Sequence, residues 1–162
     1  MSLRVRVLIG MIATLAIAGE GRAQTATQVV RFQVTAINQV AVSGSPAPLV
    51  INSATAGSAA ASITASGTSY AVTTNESNQK ITASLDQPLP SDVTLEVILA
   101  APSGALSAGA VPLSTSGADV VTGISSASAS ALPITYRLSA TPTVQMSAPA
   151  ARVVTFTIVS GT

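Results

Sequence analysis

The chain contains no cysteine, no histidine and no tryptophan among its 162 residues, and only 8% of its residues carry a charge. Without histidine or cysteine, no side chain is suited to accept a serine proton near neutral pH or to act as a thiolate nucleophile. This excludes Ser-His-Asp and Cys-His catalysis. Ordinary zinc, copper and haem sites are excluded as well, because they need imidazole or thiolate ligands. Since disulfides are also excluded, an exported form of this chain depends on core burial and backbone pairing.

The few charges nearly cancel. The whole chain has seven basic and six acidic side chains, but residues 24–162 hold only four basic against five acidic ones. A near-neutral, charge-poor surface lacks the positive potential that attracts nucleic acid or anionic lipid. We therefore expect no nucleic-acid partner and no stable membrane insertion of residues 24–162.

The first 23 residues have the layout of a secretory signal peptide. Arg4 and Arg6 supply a basic start, and an apolar run of 13 residues follows at 7–19. Small residues, Gly21 and Ala23, then occupy the two positions that a signal peptidase reads. Because a bilayer core needs about 20 apolar residues, the run is short for a membrane anchor.

We accordingly predict cleavage after Ala23, with a cut after Ala18 or an uncleaved anchor as alternatives. The product, residues 24–162, has the length of one ordinary domain. It is expected to be secreted, extracellular or periplasmic, and a cell-surface location is possible on the same grounds. The absence of cysteine excludes a lipid-modified N-terminus.

Most of the remaining chain alternates apolar and polar residues with a period of two. This pattern is typical of half-buried strands in antiparallel sheets, because successive strand side chains point to opposite faces. Less regular runs predict further strands. The predicted strands cover residues 30–34, 40–42, 49–52, 70–74, 81–85, 93–99, 120–122, 134–140 and 154–158.

Turn-forming Gly, Pro, Asn and Ser clusters separate these runs at intervals near ten residues. The sequence therefore predicts an all-β fold, an antiparallel immunoglobulin-like β-sandwich of about seven to nine strands. No convincing helix is found. The alanine-rich stretch 54–65 is interrupted by Gly57, Ser and Thr, and residues 125–131 are interpreted as a loop.

The two ends of the predicted domain are alike, since residues 28–34 (QVVRFQV) match residues 152–158 (RVVTFTI) in pattern. One interpretation is two core strands of one sandwich. The other is an edge strand that can be exchanged between subunits, because an exposed edge carries unpaired N–H and C=O groups. The candidate assembly residues are Val30, Phe32, Val34, Val154, Phe156 and Ile158.

Two weak catalytic or binding patterns remain. Ser77 and Lys80 have the S-x-x-K spacing of penicillin-binding enzymes, but the companion elements are missing, and a solvated turn is expected. The acidic residues could bind calcium or act as a glycosidase pair, although no calcium-loop spacing exists and surface charge is the expected role. These acidic residues are Asp86, Asp92, Glu96 and Asp119.

Sugar-binding proteins usually stack their ligand on exposed aromatic rings, and this chain has only four aromatic residues. Phe32, Tyr136 and Phe156 lie on alternating apolar faces and are expected in the core, which leaves Tyr70 as the candidate for a lectin-like role. Asn75 begins an N-x-S sequon, which is a glycosylation site in a eukaryote and a chance match in a bacterium.

Four stretches, at 32–44, 48–51, 119–124 and 134–141, resemble a group of small secreted bacterial proteins of unassigned activity. The resemblance covers most of residues 24–162 and consists of strand and turn patterns. It implies an exported β-sandwich without catalytic residues. The Ala/Ser/Thr/Val/Gly composition is more loosely similar to fimbrial and other surface-fibre subunits, although the cysteine pair of many fimbrial subunits is absent.

The sequence thus favours an exported structural subunit of the cell surface or extracellular matrix. It would self-associate by edge-strand pairing or bind other surface proteins. We expect no enzymatic activity, no cofactor and no bound metal. The alternative is a soluble secreted or periplasmic binding module that uses end loops such as 57–67 and 103–109.

Overall fold

The computed structural model describes residues 24–53, 55–57, 62–143 and 150–162. The predicted signal peptide lies outside these residues. The chain divides into two units, one ending at Gln33 and the other comprising residues 34–162. Within the first unit, residues 24–33 form neither helix nor strand, and their side chains are exposed.

The second unit is all-β, and its described residues contain no helix. In the described part of this unit, nine strands follow one another: β1 Asn38–Ser43, β2 Ile63–Thr74, β3 Gln79–Leu85, β4 Val93–Leu99, β5 Leu106–Ser107, β6 Val111–Pro112, β7 Ala118–Ile124, β8 Ser128–Ala140 and β9 Val154–Ser160. They form two antiparallel sheets. The five-stranded sheet has the order β1-β2-β8-β4-β6, and the four-stranded sheet has the order β5-β7-β3-β9.

One apolar core is enclosed between the sheets. Strands β3 and β4 contribute every second residue to it, as the alternation predicts, whereas the adjacent Val120 and Val121 of β7 are both fully buried. In β3, for example, Ile81 and Ala83 are fully buried while the intervening Thr82 is only half-buried. The largest fully buried side chains are Tyr70, Ile81, Leu99, Ile124 and Ile134. This confirms the all-β, sandwich-like prediction at the level of two antiparallel sheets around one core.

Several of the local predictions are wrong. Residues 30–34 and 49–52 are not strands, although their sequences alternate or are rich in β-formers. Strand β8 begins at Ser128, inside the stretch interpreted as a loop, because pairing with β2 supplies partners that composition does not reveal. Similarly, Ile63–Gly67 belongs to β2 and not to an end loop.

Candidate assembly surface

Each sheet ends in one long and one very short edge strand. The short edges are β5 and β6, with two residues each. The long edges are β1, with six residues, and β9, with seven. An edge strand presents a row of unpaired backbone N–H and C=O groups, so β1 and β9 are where a further strand could be added.

The β9 edge is incompletely covered on its core side. Val154, Phe156 and Ile158 face the core but are only partly buried. In the neighbouring strand β3, Ile81 and Ala83 are 0% exposed. The apolar layer between the sheets is therefore still accessible to solvent along β9, and an added strand could cover it.

The outward face of β9 carries none of the residue types that usually protect a sheet edge. Its outward side chains are Thr155, Thr157 and Val159, all exposed, and no lysine, proline or charged residue interrupts the strand. Natural edges are commonly blocked by such residues. The β9 ladder to β3 is regular over all seven pairs, with Phe156 opposite Ala83.

The β1 edge is more polar. Its core-facing positions are Asn38, Val40 and Val42, and Val42 remains 48% exposed. Asn38 is already engaged, because its Oδ1 accepts from Thr74 Oγ1 at 2.6 Å and its Nδ2 donates to Glu76 Oε2 at 2.5 Å. This edge thus offers two apolar side chains where β9 offers three.

The six candidate assembly residues are divided by the structure into two different settings. Val154, Phe156 and Ile158 share the core face of an edge strand. Val30, Phe32 and Val34 lie outside any strand and are highly exposed, Phe32 to 91%. The expectation that Phe32 is a core residue is wrong, because no strand forms at residues 30–34 to place its ring against a core.

Asn75 fixes the chain just before β1, a role that the sequence reasoning missed. Its Oδ1 accepts from the Ile37 N–H and its Nδ2 donates to the Thr35 carbonyl, both at 2.8 Å. Its backbone N–H also donates to the Ile37 carbonyl at 3.2 Å. One asparagine therefore continues the β1–β2 ladder beyond its last strand pair. The available sequence signal was an asparagine directly after a predicted strand, which commonly makes local backbone bonds.

Because Nδ2 of Asn75 is held by the Thr35 carbonyl, the sequon nitrogen already has a structural function. A glycan on this atom would replace one of its two N–H groups and crowd the bond. Asn75 therefore has a hydrogen-bonding role in the fold that does not depend on glycosylation.

Tyr70 is buried and cannot serve as a sugar-stacking platform. Its side chain is 1% exposed, and its hydroxyl donates to the Ala100 carbonyl at 2.5 Å. Burial raises the pKa of Tyr70 to about 12 and also raises the pKa of Tyr136, because the charged phenolate is poorly solvated there. A lectin-like role that depends on an exposed Tyr70 is thus contradicted.

The candidate acidic residues are dispersed among separate structural contacts. Asp119 pairs with Lys80 at 3.1 Å, and Glu96 pairs with Arg137 directly across the β4–β8 ladder. Asp86 Oδ1 accepts from the Val153 N–H at 2.9 Å. Within the described ranges, no three His, Cys, Asp or Glu residues lie close enough to hold a metal ion.

The Ser77–Lys80 pair does not have the geometry of a serine–lysine catalytic site. Ser77 lies in the turn after β2, and Lys80 is already on β3. The Lys80 ammonium is directed to Asp119, whereas the Ser77 carbonyl accepts from Gln79 Nε2. A base one helical turn after the serine would require a helix, and these residues form a turn and a strand.

A shallow groove lies at one end of the second unit. Its described lining residues are small and mostly polar, Pro102, Ser103 and residues 125–129, and none of them is charged. Among these residues, hydroxyls and backbone groups are the only hydrogen-bonding groups. The predicted loop 103–109 borders this groove at Ser103, while residues 63–67 of the other predicted loop lie in β2.

No family model, curated protein or solved structure matches this chain. In the part of the chain that the structure describes, no helix is long and apolar enough to cross a membrane.

Proposed function

We propose that this protein is an exported structural subunit of the cell surface or extracellular matrix, and that copies of it associate by pairing of strand edges. The observation that carries this proposal is the β9 edge: seven residues long, uncharged, and with three core-facing apolar side chains half covered. Main-chain pairing at such an edge supplies affinity, and the covered side chains supply specificity.

Two further features support a structural role. Three of the candidate acidic side chains have partners within the fold, and the serine–lysine pair is not arranged for catalysis. The sandwich is of the immunoglobulin-like type in this proposal, and the first 23 residues act as the signal for export. The motivation for export is the basic, apolar and small-residue order of that segment.

The first prediction concerns self-association of the exported protein. Light scattering and negative-stain microscopy across a concentration series are expected to show regular oligomers or filaments that grow with concentration. The N-terminus of the sample, read by mass spectrometry, is expected at Gln24. A protein that stays monomeric at every concentration would contradict the proposal.

A monomer would instead favour the binding-module alternative, for which the specific observation is the serine-lined groove next to Pro102. Its small hydroxyl-bearing lining suits a neutral, hydrogen-bonding ligand. Chemical-shift changes at Ser125 and Ser126 on addition of neutral oligosaccharides or peptides would identify that function.

A further inference from the structure

We infer that residues 28–34 of one copy add as an extra strand to the outer edge of β9 in a second copy. This names the donor and the acceptor of the association above and rests on that proposed function. The contact joins two different surfaces, so each copy can donate at one place and accept at another. Such head-to-tail contacts produce open chains unless the rotation closes a ring.

Residues 28–34 have the properties of a donor strand. They contain no proline or glycine and alternate in the way a strand requires, yet they form no strand. Val30, Phe32 and Val34 would share one face of that strand, and they are 73%, 91% and 77% exposed. A contiguous exposed apolar row of this kind marks an interaction surface.

The outer edge of β9 is the acceptor because its apolar residues match those of the donor strand. Along β9, Val154, Phe156 and Ile158 are spaced like the donor's three apolar residues and are half covered. Seven donor residues at about 3.3 Å each span about 23 Å, the same length as the seven residues of β9. Placed side by side, the two rows would close the apolar layer that is now accessible to solvent.

The β1 edge is the weaker acceptor for a physical reason. Its core-facing row includes Asn38, which is held by Thr74 and Glu76. An incoming apolar row would place one of its side chains against this polar group. The β9 row has no such polar position.

The length of the donor is limited on its C-terminal side by Asn75. The bonds from Asn75 to Thr35 and Ile37 hold residues 35–37 in the second unit. Residues up to Val34 are outside these bonds. The donor therefore ends close to Val34, which agrees with the end of the alternating pattern.

Cysteine crosslinking tests the pairing directly, because the chain has no cysteine of its own. R31C lies on the outward face of the donor, and T157C lies on the outward face of β9. Mixing the two full-length exported variants under mild oxidation is expected to give a crosslinked dimer at several times the yield of either variant alone. A41C, exposed on the outward face of β1, is the matched acceptor control and is expected to give little product with R31C.

Two results would overturn the inference while leaving self-association intact. Efficient crosslinking of R31C to A41C would show that β1, and not β9, is the acceptor strand. Efficient crosslinking between two T157C copies would show symmetric pairing of one β9 edge with another. If the wild-type protein does not associate at all, the proposed function fails first. The three cases give different products and are therefore distinguishable.

A second measurement does not depend on crosslink geometry. The double variant V30P/R31P removes two adjacent N–H donors from the donor segment, so strand addition is blocked in either orientation. We expect it to lower the assembled fraction at least tenfold while the melting temperature of the sandwich is unchanged. A26P, outside residues 28–34, is the control and should assemble like wild type. Normal assembly of V30P/R31P would contradict the donor assignment.

Discussion

At the scale of single residues, two polar side chains have roles that the structure makes testable. The Tyr70 side chain is buried in the core, and its hydroxyl donates a hydrogen bond to the Ala100 carbonyl. Asn75 supplies three hydrogen bonds, two from its side chain, at the point where the chain enters β1. Both effects concern the stability of the fold.

Tyr70 makes stability depend on alkaline pH. Its pKa in the folded protein is about 12, against 10.0 for an ordinary tyrosine, so its contribution is complete below pH 10 and is lost as the pH rises towards 12. Y70F lacks this titration but leaves the Ala100 carbonyl without its donor, at a cost of about 1 kcal/mol below pH 10.

Urea unfolding of wild type and Y70F between pH 8 and pH 12 measures both effects. The stability difference between them should shrink above pH 10. Tyr136, whose pKa is also raised by burial, is present in both proteins and so does not affect the comparison. If wild type and Y70F lost stability equally from pH 8 to pH 12, Tyr70 would not be the residue whose titration lowers the stability.

The Asn75 side chain is expected to stabilise the conformation of residues 35–37 through its two hydrogen bonds. N75A removes two side-chain hydrogen bonds, and we expect a loss of about 1–2 kcal/mol in unfolding free energy. We also expect faster hydrogen exchange at the Ile37 amide, which donates to Asn75 Oδ1. N52A, at an exposed asparagine outside any strand, is the matched control and should change neither quantity. An unchanged hydrogen-exchange rate at the Ile37 amide in N75A would be evidence that the Asn75 hydrogen bonds do not hold residues 35–37 in place.

At the scale of elements, the ladder between strands β2 and β8 contains two β-bulges. Their pairing shifts twice. An extra residue lies on β2 between Ala65 and Thr68, where Gly67 has φ 98°, and another lies on β8 between Ala129 and Leu132, where Ala131 has φ 55°. Such bulges locally bend a strand and increase its twist.

Ala131 is strained because a residue with a Cβ rarely adopts positive φ, whereas glycine does so readily. A131G is therefore expected to stabilise the protein by about 0.5–1 kcal/mol. A129G, two residues earlier in the same strand, should destabilise it by a similar amount, because glycine in an extended strand loses more conformational freedom. Denaturant midpoints of the two variants test this contrast, and destabilisation by both would exclude strain at Ala131.

The candidate surface could be predicted from the sequence only in part. The match between residues 28–34 and 152–158 identified the six apolar residues on which the proposed donor and acceptor strands depend. It could not assign their roles, since both stretches have the same alternation. Asn75 was missed for a related reason: its partners, Thr35 and Ile37, are about 40 residues away in the chain.

At the scale of the whole molecule, the sheet edges differ in their capacity to accept a further strand. Of the four edges that the two sheets have in the described part of the chain, two are only two residues long and two are long. One long edge, β1, has a polar position bonded to its own sheet, while β9 has none. The low charge of the chain adds little long-range repulsion between copies, so short-range strand pairing would dominate in the proposed association.

Local alternation in the sequence predicts the all-β class and most strand positions, and the lack of histidine and cysteine excludes the chemistries that need them. These properties depend on local alternation and on residue types, and both are readable from the chain. The strand order, the burial of Tyr70 and the different settings of residues 28–34 and 152–158 depend on long-range contacts and became evident from the folded structure. A period of two specifies that one face of a strand can be buried, but the neighbour against which it is buried comes from distant parts of the chain.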